Sequence, residues 1–233
     1  MKSKVKPLDT SKVWVVIAAY NEAPVIAETI AQILLCLGNV VVVDDCSEDA
    51  TAENAMAAGA RVLRHPINLG QGAALQTGIE YALKNNSEFI VTFDADGQHD
   101  ANEIIPMLRV LQESQSDLVL GSRFLGSTSN LPWQRRLILK LAIVYTRVIC
   151  GIKLTDVHNG FRAMTRGFCE KFTFRQNRMA HASEILNYIA THNIKYVEFP
   201  VTITYTKYSI HKGQKDSNAF RVLIELLTSH IPK

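Results

Sequence analysis

Short apolar runs alternate with helix-like segments through the first half of the chain. The runs are rich in valine and isoleucine and predict five strands, at Val13–Ala19, Val40–Val43, Ala60–His65, Glu88–Phe93 and Asp117–Leu120. The segments between them predict four helices, at Pro24–Leu37, Asp49–Ala58, Gly70–Leu83 and about 102–114. Strands that alternate with helices in this way form a mostly parallel sheet with helices on both faces. We therefore predict an α/β fold.

The pattern changes after Gly121. Three further helices are predicted, at Trp133–Gly151, His181–His192 and Asn218–His230. Lys195–Thr206 alternates like a strand, and Pro200 within it indicates a bend or an edge position. Because no Pro- or Gly-rich linker interrupts the chain, we predict one domain over residues 1–233, with a first half at about 10–122 and a second at about 123–233.

Charge is divided unequally along the chain. Residues 1–100 carry 7 Lys and Arg against 13 Asp and Glu, a net of −6, whereas residues 101–233 carry 18 against 9, a net of +9. An acidic half suits a metal ion and a basic half suits phosphates or an anionic surface, although solvated faces account for many single charges. The basic N-terminus is not followed by an apolar segment, and no cysteines have C-x-x-C spacing, so we expect a cytoplasmic protein with reduced thiols.

Two carboxylates follow the fourth predicted strand. Asp94 and Asp96 stand one residue apart, and Gln98 continues the same spacing. Because the carboxyl ends of parallel strands open onto one crevice, these oxygens can meet at a single Mg²⁺ or Mn²⁺ ion, which usually brings a substrate's phosphates with it. A turn with solvated acids is the alternative, since Asp-x-Asp alone is common.

Polar residues also follow the first two strands. The first strand runs into Tyr20-Asn21-Glu22 and the second into Asp44-Asp45. Asp45 is suited to accept a hydrogen bond from a base N–H and Tyr20 to stack on that base, whereas Ser47 is expected to cap the next helix. The glycines of Asn68–Gly72 allow backbone N–H groups near a phosphate or ribose, although a plain turn is about as frequent.

Taken together, these motifs resemble the family 2 glycosyltransferases of the GT-A fold over nearly the whole chain. The matching stretches are Ala19–Glu22, Val43–Asp49, Asn68–Ala73 and Asp94–His99. Within that family the sequence is most similar to the polyprenyl-phosphate sugar transferases, such as the dolichol-phosphate mannose synthases. This closer resemblance rests on Gly121-Ser122-Arg123, Thr155–Arg162 and the basic loop Tyr208–Lys215.

The resemblance implies a nucleotide-diphosphate sugar as the donor, with UDP and GDP both open, and a polyprenyl phosphate or related lipid carrier of cell-envelope glycan synthesis as the acceptor. Implied donor-binding residues are Ala19, Tyr20, Asn21, Glu22, Asp45, Gly70, Gly72, Asp94, Lys212 and Lys215. Implied ligands of Mg²⁺ or Mn²⁺ are Asp94, Asp96 and Gln98. Implied acceptor-binding residues are Arg123, Asn159 and Arg162.

The family inverts the anomeric centre, so the acceptor attacks from the face opposite the leaving diphosphate. The candidate catalytic residues are Asp96, Arg123 and Asp156. A phosphate acceptor is already an anion and needs no base, whereas a hydroxyl acceptor does. In that case Asp156 is the first candidate base and His158 the second, although a helix cap or an ion pair with Arg162 suits Asp156 equally well. The hydroxyl of a polysaccharide or glycolipid therefore stays open as the acceptor.

Two other classes of function fit the sequence less well. A sugar-1-phosphate nucleotidyltransferase would carry glycine and basic residues directly after the first strand, and Ala18–Glu22 has neither. A non-catalytic nucleotide-sugar-binding protein would not need all of the residues implied in chemistry, which are Asp94, Asp96, Arg123 and Lys212.

The predicted helix at 133–150 has two interpretations. It either packs entirely against the sheet or lies at a lipid surface, with Leu137, Leu141 and Val144 in the lipid. In the second case its basic residues meet lipid headgroups, and these are Arg135, Arg136, Lys140 and Arg147. We expect a peripheral protein at the inner face of the cytoplasmic membrane, with no nucleic-acid partner. Homo-oligomerisation through the C-terminal helix is an alternative role for that helix.

Overall fold

The fold is built on one seven-stranded sheet, seen in a computed structural model that describes residues 7–157, 159–176, 181–206, 208–209 and 212. The strands are β1 (Val13–Ala19), β2 (Val40–Asp44), β3 (Arg61–Arg64), β4 (Phe89–Thr92), β5 (Leu118–Ser129), β6 (Arg162–Thr165) and β7 (Tyr196–Thr204). The α-helices are α1 (Ile26–Leu34), α2 (Thr51–Ala57), α3 (Gln71–Lys84), α4 (Ile104–Ser114), α5 (Trp133–Cys150), α6 (Arg166–Cys169) and α7 (His181–His192). The strand order is β3-β2-β1-β4-β6-β5-β7, and only the two pairings that involve β6 are antiparallel. The predicted mostly parallel α/β sheet is confirmed.

The central strand β1 explains why helices cover both faces of the sheet. Val13, Val15 and Ile17 belong to one apolar core, which α1 and α4 complete, while Trp14 and Val16 belong to another, which α3, α6 and α7 complete. Successive side chains of a strand point to opposite faces, so a strand that is apolar throughout needs cover on both. Each buried large apolar side chain contributes roughly 1.5–3 kcal/mol, so the two cores together fix the position of the residues that follow β1.

Two parts of the sheet were not predicted. The short strand β6 has no apolar run of its own, and it is held by β4 on one side and by β5 on the other. The predicted end of β5 at Leu120 was too early, because the strand resumes pairing with β7 after an irregularity between Ser122 and Ser127. The added residues are largely exposed and polar, so hydrophobic patterning does not reveal them.

The short helix α6 was not predicted either. The other strands and α-helices described above end within about three residues of their predicted limits, as expected for boundaries read from a sequence. Pro200 lies in β7, which is an edge strand, as its position predicted. The predicted helix at Asn218–His230 lies outside the described residues. In the part of the chain that the structure describes, no helix has both the length and the apolar character that a membrane crossing requires.

Candidate active site

The carboxyl ends of β1, β2 and β4 meet at a cavity of about 350 Å³. Its lining is made of Ala18, Ala19, Tyr20, Glu22, Asp45, Gln71, Asp94, Ala95, Asp96, Gln98, Arg135, Gly160, Arg162, Ala182, Ser209 and Lys212. Parallel strands bring their carboxyl ends to one edge, which is where open α/β sheets bind ligands. Most of the donor-side residues singled out in the sequence lie on this lining. Three donor-side residues, Asn21, Gly70 and Gly72, do not lie on it, and Lys215 lies outside the described residues. Of the acceptor-side and catalytic candidates, the lining excludes Arg123, Asp156 and Asn159.

Asp94 and Asp96 share the cavity directly after β4. His99 Nε2 lies 2.9 Å from Asp94 Oδ2, and the backbone N–H of Gln98 donates to Asp96 Oδ1 at 3.1 Å. Burial and, second, the negative charge of Asp94 raise the pKa of Asp96 to about 6. Within the described residues no third acidic, histidine or cysteine side chain completes a metal cluster. The pair therefore fits a divalent cation whose other ligands are phosphate oxygens and water, as is usual for Mg²⁺.

An aromatic cluster fixes the histidine that contacts Asp94. The His99 ring meets Phe93 and Phe161 edge-on, with centroid separations of 5.4 and 5.3 Å. Its buried Nδ1 has no hydrogen-bond partner among the described residues. Edge-to-face packing of this kind contributes about 0.5–1.5 kcal/mol per pair beyond area burial. The ring therefore holds one orientation, and with it the carboxylate of Asp94.

A buried arginine forms the cationic part of the cavity wall. Arg162, on β6, is 2 % exposed, and its Nη1 has no hydrogen-bond partner in the described part of the chain. Burial lowers its pKa to about 10, although Asp94 and Asp156 oppose this shift. A buried guanidinium with an unpaired N–H at a cavity favours an anionic ligand, because leaving a charged group unpaired away from water is costly.

Arg123 and Asp156 form a buried ion pair behind this wall. Arg123 Nε donates to Asp156 Oδ2 at 2.6 Å, and its Nη1 donates to the Tyr205 hydroxyl at 2.8 Å. Burial lowers the pKa of Arg123, but the Asp156 carboxylate and Tyr205 outweigh it and raise that pKa above its ordinary value. Glu198 Oε1 accepts from the backbone N–H of Asp156 at 3.3 Å and holds the turn. Asp156 is thus paired with Arg123, not with Arg162 as the sequence left open.

The remaining acceptor-side residue, Asn159, is also turned toward the protein. Its Oδ1 accepts from the backbone N–H of Phe161 at 3.0 Å, and its buried Nδ2 has no partner among the described residues. An unpaired amide donor at this depth is costly unless a ligand or water satisfies it. His158, the second candidate base, lies outside the described residues.

On the donor side, Asp45 binds the start of α3. Its Oδ1 accepts from the Leu69 N–H at 2.9 Å and its Oδ2 from the Gly70 N–H at 2.6 Å. Gly70 has φ +94°, a conformation that glycine adopts readily. Its N–H meets a protein carboxylate here and not an open phosphate position, whereas the neighbouring Gln71 lines the cavity. Gly72 is buried within α3.

Lys212 lies against the residues that follow β1. Its Nζ is 2.6 Å from Glu22 Oε1 and donates to the carbonyl oxygens of Tyr20 and Asn21 at 3.0 and 2.8 Å. Tyr208 donates its hydroxyl to Glu22 Oε2 at 2.9 Å, and burial and this hydrogen bond raise the pKa of Tyr208. Lys212 therefore lies on the cavity lining, and its contact with a donor stays a prediction.

The turn after β2 is held differently from the prediction. Ser47, expected to cap the next helix, instead accepts a hydrogen bond from the backbone N–H of Asn21 at 2.9 Å. The N-cap residue of α2 is Ala50, and the Asp49 carboxylate accepts from the backbone N–H of Thr51, the first residue of the helix, at 3.0 Å. Asn21 Oδ1 accepts from the Glu48 N–H at 2.9 Å, so Asn21 ties β1 to this turn.

Sequence reasoning missed the role of Arg135. Neither interpretation of the helix, packing against the sheet or lying at a lipid surface, placed Arg135 at the cavity. It lines the cavity, and its guanidinium lies 5.1 Å from the centre of the Tyr205 ring. The signal was present in the helical spacing, because Arg135 shares a side of α5 with buried Leu139 and Ala142 at i+4 and i+7. A cation over an aromatic face is favourable by about 0.5–2 kcal/mol. Tyr205 therefore holds two arginines, Arg135 through its ring and Arg123 through its hydroxyl.

The fold is that of an α/β protein, and its cavity is lined by an acidic pair and a buried arginine. The sequence matches the model of glycosyl transferase family 2 over residues 14–173, and the chain belongs to this family. The expected family is thereby confirmed, and the protein is a glycosyltransferase.

Two relatives and one solved structure place the chain further. It is 32 % identical to an uncharacterized protein of Methanocaldococcus jannaschii, covering 98 % of this chain and 96 % of that one. It is 30 % identical to the polyprenol monophosphomannose synthase of Mycolicibacterium smegmatis, covering 87 % and 81 %. The crystal structure of glucosyl-3-phosphoglycerate synthase from Mycobacterium tuberculosis with Mn²⁺, UDP and phosphoglyceric acid superposes with a TM-score of 0.71 at 18 % identity, covering 96 % of this chain and 80 % of that one. The expected GT-A fold is confirmed.

Proposed function

We propose that the protein transfers a sugar, with inversion, from a nucleotide-diphosphate sugar to a polyprenyl phosphate or a related lipid phosphate. The observation that carries this proposal is the division of one cavity between two walls. Asp94 and Asp96 lie on one, and on the other lies Arg162, which has a buried N–H without a partner among the described residues. The carboxylates suit a cation on the donor diphosphate, and the guanidinium suits a second anion. The name of the Mycolicibacterium smegmatis relative, polyprenol monophosphomannose synthase, supports this acceptor class.

Asp94 and Asp96, with Gln98, are proposed to hold Mg²⁺ or Mn²⁺ on the donor diphosphate. The Mn²⁺ and UDP in the glucosyl-3-phosphoglycerate synthase structure support this choice of cofactor. When bound, the cation supplies positive charge that stabilises the departing diphosphate. His99 keeps Asp94 in place through its 2.9 Å contact, and the Gln98 N–H does the same for Asp96.

The donor's nucleoside is proposed to lie along the residues that follow β1 and β2. Tyr20 is 41 % exposed and lines the cavity, so its ring is open to stack on a base. Asp45, on the same lining, offers a carboxylate oxygen to a base N–H. Lys212 adds a cation at this end, and its ion pair with Glu22 keeps it beside the cavity.

The acceptor phosphate is proposed to bind Arg162 directly, with Asn159 and Arg123 behind it. A phosphate monoester near pH 7 is already an anion, so its attack on the anomeric carbon requires positioning rather than a base. Asp156 is then a positioning residue, because its carboxylate is buried and bound to the Nε of Arg123. The alternative, a sugar hydroxyl as acceptor with Asp156 as its base, requires this ion pair to open.

The outer face of α5 is proposed to rest on the inner surface of the cytoplasmic membrane. Five large apolar residues of this helix are exposed, and they are Trp133, Leu137, Leu141, Val144 and Val148. At 100° per residue they occupy an arc of about 80°. Arg136, Lys140 and Arg147 flank this arc, and the helix has no acidic residue. An apolar strip beside cations suits an anionic lipid surface, and a second copy of the same helix would be repelled.

The test is transfer of labelled sugar from a panel of UDP- and GDP-sugars, with Mn²⁺ or Mg²⁺, into an organic-extractable polyprenyl phosphate. We expect metal-dependent label in the lipid phase from one donor. Hydrolysis of a donor without a lipid product would indicate that the acceptor is a sugar hydroxyl and not a lipid phosphate. No turnover of any donor would contradict the proposal.

Asp156→Asn separates the two acceptor classes. With a phosphate acceptor we expect turnover within about tenfold of wild type, because only the hold on Arg123 weakens. A loss of about 10²–10⁴-fold in turnover with unchanged donor binding would instead identify a general base.

A further inference from the structure

We infer that His65 and Thr77 are positioning residues that hold the Asp45 carboxylate as a fixed acceptor and thereby set which nucleoside bases the enzyme accepts. This inference rests on the proposed function, because it assigns Asp45 to the base of the donor. His65 directly follows β3, is buried and lies outside the cavity lining. It therefore acts through Asp45 and not through a contact with substrate.

Both nitrogens of the His65 ring are engaged. Nδ1 lies 2.7 Å from Asp45 Oδ1, and Nε2 lies 3.0 Å from the hydroxyl of Thr77 on α3. The backbone N–H of His65 donates to the Asp44 carbonyl at 2.9 Å, which fixes the residue next to β2. The ring cannot turn without losing one of its side-chain contacts, so it holds Asp45 from behind.

The protonation pattern follows from these partners. An ionised carboxylate accepts only, so Nδ1 must carry the proton that lies between His65 and Asp45. In the neutral imidazole Nε2 is then an acceptor, and the Thr77 hydroxyl donates to it. Thr77 therefore selects this tautomer, in which His65 Nδ1 donates to Asp45 Oδ1.

Counting acceptor positions shows what remains for a ligand. A carboxylate offers about four lone-pair positions. His65 and the Leu69 N–H use two on Oδ1, and the Gly70 N–H uses one on Oδ2. Among the described residues no other group hydrogen-bonds this carboxylate, and Asp45 lines the cavity. One accepting position on Oδ2 is left for an N–H of the donor.

This arrangement discriminates between bases by their ring edge. Uracil at N3 and guanine at N1 present an N–H donor, whereas cytosine at N3 and adenine at N1 present an acceptor. A buried carboxylate that cannot rotate accepts a hydrogen bond from uracil or guanine. Against cytosine or adenine, its oxygen would face a ring nitrogen that is also an acceptor, and the two would repel each other. Sites built around such a bond reject ligands that lack the donor, because the protein group is left unpaired.

The experiment is calorimetric titration of UDP, GDP and CDP, in the presence of Mn²⁺, into wild type, His65→Gln and His65→Asn. We expect wild type to bind UDP or GDP at least about tenfold tighter than CDP, the size of one hydrogen bond to a charged group. His65→Asn keeps an amide N–H near the position of Nδ1 and should retain most of this preference. His65→Gln places its amide near Nε2 and should lose about tenfold for the preferred nucleotide, with little change for CDP.

The outcomes test the role of His65 separately from the proposed function, binding of a nucleotide-sugar donor, on which it rests. Unchanged preference in His65→Gln, or equal losses for preferred nucleotide and CDP, would overturn the role of His65 alone. Wild type that binds no nucleotide would overturn the proposed function. His192→Gln, at an exposed histidine that ends α7, is the matched control and should behave as wild type. If His65→Gln fails to fold, Thr77→Val tests the same contact from the other side, and an unchanged UDP or GDP preference there would overturn the inference.

Discussion

Gly160 leaves the space in which the carboxylate of Asp94 stands. A Cβ at residue 160 would lie 2.1 Å from Asp94 Oδ1 and 2.5 Å from Oδ2, far inside any tolerable contact. The carbonyl of Gly160 also accepts a hydrogen bond from Thr92 Oγ1 at 2.6 Å, which ties this loop to β4. Neither backbone can easily move away from the other, so the direction of Asp94 depends on the absence of a side chain at position 160.

We predict that Gly160→Ala lowers sugar transfer by about 10²-fold, because a displacement of about 1 Å at a catalytic centre has effects of that size. The measurement is kcat/KM for the donor, with circular dichroism to verify folding. Gly167→Ala is the matched control, since a Cβ there meets no atom within 4 Å. Wild-type activity in Gly160→Ala would show that Asp94 can serve from another position.

The meeting of three acidic residues at one cavity could be predicted from sequence because each residue is marked locally. Asp94, Asp96 and Asp45 follow apolar strands, and parallel strands bring their ends together. The contacts of Gly160 and Tyr205 have no such mark, because their partners lie far away along the chain. The antiparallel insertion of β6, which carries Arg162 into the cavity wall, also depends on pairing with distant strands.

Arg162→Gln tests the acceptor site. The side chain of this variant keeps hydrogen-bonding capacity but loses the charge, and we predict a rise in acceptor KM of at least about tenfold with donor KM nearly unchanged. Arg162→Lys should recover only part of the loss, since a lysine cannot bind a phosphate with two parallel N–H groups. Equal rises in donor and acceptor KM would instead assign Arg162 to the donor or to the structure as a whole.

Removal of divalent cations should abolish transfer. Asp94 and Asp96 share one cavity wall, and the raised pKa of Asp96, about 6, reflects burial and the charge of its neighbour. We predict that a chelator stops turnover and that Mg²⁺ or Mn²⁺ restores it. Asp96→Asn should require a higher metal concentration for half-maximal activity, measured by metal titration at fixed donor. Full activity of the chelator-treated enzyme would contradict the assignment of this pair.

The outer face of α5 is tested with Leu137→Glu and Leu141→Glu combined. Both side chains are about half exposed, at 52 % and 50 %, so the variant should fold normally. We predict that binding to vesicles containing anionic lipid falls at least about tenfold in a sedimentation assay. The reason is that the two new glutamates are repelled by the anionic headgroups and cannot enter the apolar part of the lipid interface as the leucines do. Leu35→Glu, at an 88 % exposed leucine next to α1, is the control and should bind as wild type. Unchanged vesicle binding of the α5 variant would assign this face to another partner.

The close contact between α3 and β1 at Gly78 leaves no room for a larger side chain, so we expect a substitution there to lower the free energy of unfolding. A Cβ on Gly78 would lie 2.4 Å from Cγ1 of Val16, so Gly78→Ala forces the helix away from the central strand. Overpacking of this kind costs about 1–3 kcal/mol, which we expect to measure by urea unfolding. Gly38→Ala, where a Cβ meets nothing within 4 Å, should leave stability unchanged or slightly raised. Val16→Ala removes the clashing methyl group, so the double variant Gly78→Ala/Val16→Ala should be more stable than the sum of the single losses predicts. The first turn of α3 places Gln71 on the cavity lining, so the position of this helix matters for the site. Strictly additive losses would show that the helix relaxes elsewhere and that its close approach to β1 at Gly78 does not fix its position.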